Sequence, residues 1–135
     1  MRSNYVAVAL LAVVLTGCSA EPEASPTGTR TVVVSAMDAM SFDPAEFEFA
    51  AGETVRFEVK NVGELRHEFF IGDLAAQEEH AAEMAMDHAE PAGVTVDPGE
   101  TATLRYTFAE AGHLFAACHE PGHYEAGMIA ELNVN

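Results

Sequence analysis

The stretch "AEFEFAAGETVRFEVKNVG", residues 45–63, decides the fold. Phe47 and Phe49 fall on one face of an extended chain. After the turn "AAGE" (50–53), Val55, Phe57 and Val59 again share a face, with Arg56, Glu58 and Lys60 opposite. A period of two is the mark of a half-buried β-strand. The scheme repeats in "GVTVDPGETATLRYTFAEAG" (93–112), where a DPGE turn precedes Leu104, Tyr106 and Phe108, alternating with Thr103, Arg105 and Thr107. Outward from these, "TRTVVVSA" (29–36) is a β-branched run, and "RHEFFIG" (66–72), "HLFAACH" (113–119) and "MIAELNV" (128–134) read as further strands. Seven or eight short strands in one domain-sized chain predict an all-β fold, a small antiparallel Greek-key β-sandwich.

One segment breaks the pattern. "DLAAQEEHAAEMAMDHAE" (73–90) is rich in Ala, Glu and Met, lacks Gly, Pro and β-branched residues, and stops at Pro91. It predicts one helical insertion in the sandwich. His80, Met84 and His88 stand at i, i+4 and i+8 on one face of that helix, with Met86 and Asp87 close by. Such a face suits either a labile metal site or a cap over another site. The competing reading is an amphipathic helix that packs through Met84 and its alanines and leaves His and Glu in water.

The 135 residues carry six Lys+Arg against 22 Asp+Glu, a formal charge of −16. That surface argues against nucleic acid and anionic lipid as partners and favours a metal cation or a protein with a cationic docking patch. Many of these carboxylates need serve nothing beyond solubility.

The opening "MRSNYVAVALLAVVLTGCSA" has the architecture of an export signal, with Arg2 as the basic region and Tyr5–Leu15 as the apolar core. "LTGC" (Leu15–Cys18) resembles the lipobox of bacterial lipoproteins, where cleavage precedes a cysteine that is then lipidated. The expected organisation is a signal peptide over 1–17, a lipidated flexible tether over 18–29 rich in Pro, Ser, Thr and Gly, and a folded domain over 30–135. The expected location is the periplasm or cell surface, with a membrane anchor at Cys18. An ordinary cleaved signal with Cys18 incidental is the alternative. With Cys18 used as an anchor, Cys118 has no disulfide partner. A lone thiol in an oxidising compartment is protected if a metal occupies its sulfur.

Cys118 stands in "CHEPGHYEAGM" (118–128), which gathers a thiol, two imidazoles and a thioether. Cys118, His123 and Met128 make a soft donor set suited to copper, and zinc has little use for the thioether. Blue-copper sites place two His and one Cys in a trigonal plane with a weak axial Met. His67, at the start of a strand and before Phe69 and Phe70, is the best candidate for the second His.

"ACHEPGHYEAGM" resembles the C-terminal copper loop of the cupredoxins, the plastocyanin, azurin and rusticyanin group. Its Cys-x4-His-x4-Met spacing is most similar to rusticyanin-like and copper-resistance-associated members. "NVGELRHEF" is similar to the family's upstream histidine segment, and "FDPAEFEFAAGETVRFEV" to its early strands, so the resemblance spans the domain. It implies one type 1 copper per chain, held by His67, Cys118, His123 and Met128, on an eight-stranded sandwich. Backbone near Asn61–Val62 and near Glu120 is then the expected hydrogen-bonding shell of the sulfur. Pro121, Gly122 and Gly127 shape the loop, and His119 is expected to be an exposed bystander. His113 is expected to be structural or solvated, and Met37 and Met40 core residues.

Two functions follow. One is an exported protein that carries single electrons between redox partners, without an organic substrate and without catalysis. The other is a copper-homeostasis protein that stores or delivers copper with help from the His/Met insertion. A Cys118–His123 nucleophile would leave Met128 and His67 unexplained, and oxidase chemistry would need more paired histidines, so an enzyme is disfavoured.

Overall fold

The structure, a computed structural model, describes residues 28–84 and 92–135. The export signal, most of the tether, and residues 85–91 of the insertion, including Met86, Asp87 and His88, lie outside the described residues. No helix among the described residues is long and apolar enough to cross a membrane.

Nine strands form among the described residues: β1 (Arg30–Met37), β2 (Ser41–Asp43), β3 (Glu46–Phe49), β4 (Thr54–Asn61), β5 (His67–Gly72), β6 (Gly93–Val96), β7 (Thr101–Thr107), β8 (Gly112–Ala117) and β9 (Ile129–Val134). Helix α1 (Leu74–Met84) lies between β5 and β6. The strands build two sheets, β2-β1-β4-β7 and β3-β9-β8-β5-β6. The alternation read from residues 45–63 sets the burial: in β4, Val55, Phe57 and Val59 are buried while Arg56 and Lys60 are exposed. Phe57 sits among Phe47, Phe49, Phe69 and Phe108, and Phe49 stacks on Phe108 at 4.2 Å. Burial of one such aromatic contributes about 1.5–3 kcal/mol to the sandwich.

The sheets are not purely antiparallel, as the sequence reading expected. β1 pairs parallel with β4, and β3 pairs parallel with β9. Short β2 supplies the extra strand; it pairs antiparallel with β1 beyond the turn at Met37–Met40. Period two reports which face a residue takes, and it carries no information on the neighbouring strand's direction.

The helix starts where Asp73 caps it: its Oδ1 accepts from Ala76 N–H at 2.8 Å. Its packing face corrects the expectation of an apolar one. The fully buried positions of α1 are polar, Gln77 and His80, and Met84 is half-buried. Gln77 Nε2 donates to the carbonyls of Phe115 (3.0 Å), Phe70 (3.3 Å) and Gly72 (3.4 Å), which pins α1 across β5 and β8. Every residue of β5 is therefore buried: Phe69 and Ile71 join the core, while Glu68 and Phe70 lie beneath the helix.

The register places the chemistry. Phe70 pairs with Ala117 and Ala117 with Ile129, so His67 at the start of β5, Cys118 just past β8 and Met128 just before β9 meet at one end of the larger sheet.

Candidate metal centre

Cys118 is fully buried at the end of a paired strand, and its N–H donates to Met128 O at 3.1 Å. The loop between them folds back on itself. His123 N–H reaches Glu120 O (3.0 Å), Gly127 N–H reaches Tyr124 O (2.9 Å), and Met128 N–H reaches His123 O (3.1 Å). Gly122 (φ 83°) and Gly127 (φ 92°) adopt left-handed backbone that a side chain would strain, in the loop-shaping role expected of them. An ion pair at 3.0 Å between Arg66 and Glu120 links this loop to the residue before His67.

The fold brings His67, Cys118 and His123 together: one ligand atom from each lies within 4.8 Å of the others. Cys118 Sγ is 3.3 Å from His123 Nδ1, and the two imidazole rings are 5.1 Å apart. Met128 is fully buried and its backbone is bonded to both Cys118 and His123, which holds the thioether residue at the same end. No other trio of His, Cys, Asp or Glu converges in this way among the described residues. The insertion's His80 is instead engaged by Glu68, and Met84 is half-buried, while His88 lies outside the described residues.

The donors fit copper. His67 is fully buried with Nε2 bonded to Asp38 Oδ1 at 3.1 Å, while Nδ1 has no partner. A carboxylate that accepts from one ring nitrogen fixes the tautomer and leaves the lone pair of the other free, as metal-bound imidazoles require. Asp38 is itself fixed by the N–H groups of Glu64 (2.7 Å) and Leu65 (3.1 Å). Those N–H groups, with His67, hold its carboxyl below the usual range. The soft thiol and two imidazoles complete a set that copper satisfies and a hard cation does not.

The sulfur receives Glu68 N–H at 3.3 Å, and the Glu120 backbone also bonds to it. The shell expected near Glu120 is therefore present, whereas the second donor is Glu68. Asn61 braces the neighbouring loop instead, donating to Leu65 O and Val96 O. Without a cation, burial pushes the Cys118 thiol up from 9.0 to about 11, reinforced by the charges of Glu68 and Glu120. Metal binding must therefore expel a proton from a thiol that resists losing it.

Behind the sulfur lies a polar cluster that the sequence reading missed. Glu68, 5 % exposed, accepts from His80 Nε2 at 2.8 Å and from the backbone N–H of His119 at 3.1 Å. His119 is half-buried rather than an exposed bystander: its Nε2 donates to Gln77 Oε1 at 2.7 Å and its ring stacks on Tyr124 at 4.7 Å. Burial, then nearby His80, lowers its pKa, against an opposing pull from Glu125. A glutamate inside the apolar run "HEFFIG" was the available signal, since acidic residues are almost never buried unless paired. His113 is exposed, 3.6 Å from Glu131, and Met40 packs against the core.

A family model described as copper binding proteins, plastocyanin/azurin family, matches residues 29–135. The "Copper-resistant cuproprotein CopI" of Rubrivivax gelatinosus is 43 % identical over 78 % of this chain and 66 % of its own length. The chain thus spans just under two thirds of that relative. The protein of the same name from Pseudomonas aeruginosa is 37 % identical over 84 % of this chain and 81 % of its own. Among solved structures, auracyanin from Roseiflexus castenholzii superposes with a TM-score of 0.70 at 21 % identity, over 80 % of this chain and 99 % of that one. Auracyanin A of Chloroflexus aurantiacus gives 0.68 at 24 % identity, over 80 % and 100 %. At these identities the two structures establish the cupredoxin fold alone.

Proposed function

The chain belongs to the plastocyanin/azurin family of copper-binding proteins, and from that premise we propose that it is a type 1 copper protein serving copper resistance. The observation that carries this reading is the convergence of ligand atoms from His67, Cys118 and His123, with His67 Nδ1 buried and unpartnered. His67, Cys118 and His123 would hold the metal, with the Met128 thioether as a further soft donor at the same end. Copper, when bound, supplies one-electron exchange between Cu(I) and Cu(II). The chain's own work is to hold the two imidazoles and the thiolate in place, exclude water, and set the sulfur's hydrogen bonds, which keeps reorganisation small. The copper-resistance role is favoured by two relatives of that name that align over most of the domain.

Electron carriage between partner proteins is a second reading, favoured by His123. It is half-buried, whereas His67, Cys118 and Met128 are fully buried, so its ring edge is the short route from metal to surface. The net charge of −16 fits a cationic partner for that route, and "LTGC" fits attachment of the exported chain to a membrane through Cys18.

An absorption spectrum tests the site. One equivalent of Cu(II) should give an intense visible thiolate band that is absent in Cys118→Ser; a colourless complex of folded protein overturns the type 1 assignment. Expression of the chain in a copper-sensitive host tests the role. Tolerance that Cys118→Ser abolishes supports copper resistance. Unchanged tolerance beside fast electron self-exchange favours the carrier.

A further inference from the structure

Two hydrogen bonds through Glu68 link α1 to the sulfur, and two further contacts brace them. His80 Nε2 donates to Glu68 Oε1 at 2.8 Å, and Glu68 Oε2 accepts the N–H of His119 at 3.1 Å. The Glu68 N–H reaches Cys118 Sγ at 3.3 Å. The His80 ring lies flat on Phe70, 3.8 Å away and 5° from parallel, and this contact fixes its plane over β5. Glu68 thus grips Cys118 twice, through its main chain at the sulfur and through its side chain at the next peptide.

That grip has one weak point. A carboxylate buried to 5 % exposure needs charge-assisted donors on both oxygens, or it turns toward water and takes its strand with it. His119 N–H serves Oε2, and among the described residues His80 serves Oε1. His80 is itself 2 % exposed, and its Nδ1 is buried without a partner. An unpartnered ring nitrogen is a standing cost to stability. A helix that only needed to cover β5 would place an apolar side chain over Phe70 and avoid it.

We propose that His80 is a positioning residue for the copper thiolate: through Glu68 it fixes the hydrogen bond and the negative charge that the sulfur experiences. The inference rests on the copper reading of the site, and it gives the helical insertion a part in setting the reduction potential. Removal of His80 lets the Glu68 N–H drift from the sulfur and leaves the carboxylate charge less neutralised. Both changes favour Cu(II), so the potential falls.

The test uses the full copper-loaded chain and its apo form, with His80→Ala, His80→Gln, Glu68→Gln and the double variant His80→Ala/Glu68→Gln. In a fixed redox buffer, His80→Ala should shift the Cu(I):Cu(II) ratio toward Cu(II) by roughly three- to tenfold, the fraction of one charge-assisted hydrogen bond felt at the metal. His80→Gln, which keeps a donor, should restore much of that shift. Glu68→Gln should move the ratio the other way, and His80→Ala should add little on that background. In the apo form, faster alkylation of Cys118 in folded His80→Ala reads the same loosening with no metal present.

A folded His80→Ala chain with wild-type ratio and wild-type alkylation rate overturns the proposal. So does an undiminished His80→Ala effect in the Glu68→Gln background. Should copper give no blue centre at all, the copper reading fails by that fact, and the alkylation rates of apo His80→Ala and His80→Gln still decide the mechanical link from α1 to the thiol.

Discussion

His67 and His80 are held by the same pattern of contacts. Each is essentially buried, each bonds a carboxylate through Nε2 (Asp38 and Glu68), and each leaves Nδ1 without a partner. They differ in what surrounds the free nitrogen. His67 is on the inner side of β5 facing Cys118 and His123, with its ligand atom within 4.8 Å of theirs. His80 stacks on Phe70 beneath a helix, and no trio of donors forms around it among the described residues. A carboxylate-oriented imidazole is therefore the preparation for a ligand, and convergence of soft donors makes it one.

The sharpest way to break that contrast is to delete each ring. His67→Ala should lower copper affinity by more than about 100-fold, because a trigonal ligand is lost from a closed site. His80→Ala should leave one copper per chain with affinity within about threefold of wild type, since it acts at a distance from the metal. Titration calorimetry with Cu(II) measures both. Loss of a second bound copper in His80→Ala would show that the insertion is a metal site after all.

A smaller effect sharpens the role of the orienting carboxylate. Asp38→Ala frees the His67 ring to rotate and should weaken copper binding about 10–100-fold, the usual penalty for removing an outer partner of a ligating histidine. A competition assay with a copper chelator reads it. Affinity unchanged by Asp38→Ala would mean that packing alone orients His67 and that the shared carboxylate is incidental.

The same pair of histidines shows what the sequence could disclose. The sandwich was legible because Phe47, Phe49, Val55, Phe57 and Val59 alternate, and alternation is a direct record of one-sided burial. Cys118, His123 and Met128 were legible because their functional spacing lies within one loop. The outer face of β5 was not: "HEFFIG" has no period once a helix covers its second side, so nothing marked Glu68, and His119 looked exposed. The composition of the insertion gave its helix, but the polar packing of Gln77 and His80 contradicts the alternative of an amphipathic helix that leaves its His in water. Asp38, in the turn after β1, reaches His67 across 29 residues, a pairing no local pattern signals.

Cys118 provides a pH test of the closed site. Its folded-state pKa of about 11 lies above the usual 9.0, so folding favours the protonated thiol. That contribution is full below pH 9, and it is lost as pH rises through about 11. The apo chain should therefore lose roughly 1–2 kcal/mol of stability across that window, with solvent screening discounted. In the copper-loaded chain the sulfur is already a thiolate and this loss should vanish. Denaturant melts of both forms at pH 8, 9.5 and 11 compare them, with Cys118→Ser as the control for other groups. Equal slopes in apo and loaded protein would show that the thiol is not as closed off as His67 beside it.

The smallest effect concerns Arg66 and Glu120, which also connect the His67 segment to the copper loop, at 3.0 Å. Arg66 is 57 % exposed, unlike the Asp38–His67 and Glu68–His80 pairs, whose histidines are shut away from solvent. Water screens the charge and the long side chain loses entropy on pairing, so Arg66→Ala should change copper affinity by less than about fivefold, equivalent to 0–1 kcal/mol. What is left should weaken further in high salt, whereas the Asp38→Ala effect should be insensitive to salt because its partner is buried. If Arg66→Ala weakened copper as much as Asp38→Ala does, the surface clasp rather than the Asp38 carboxylate would be what presents His67. The likeness to His80 would then say little about how either imidazole is held.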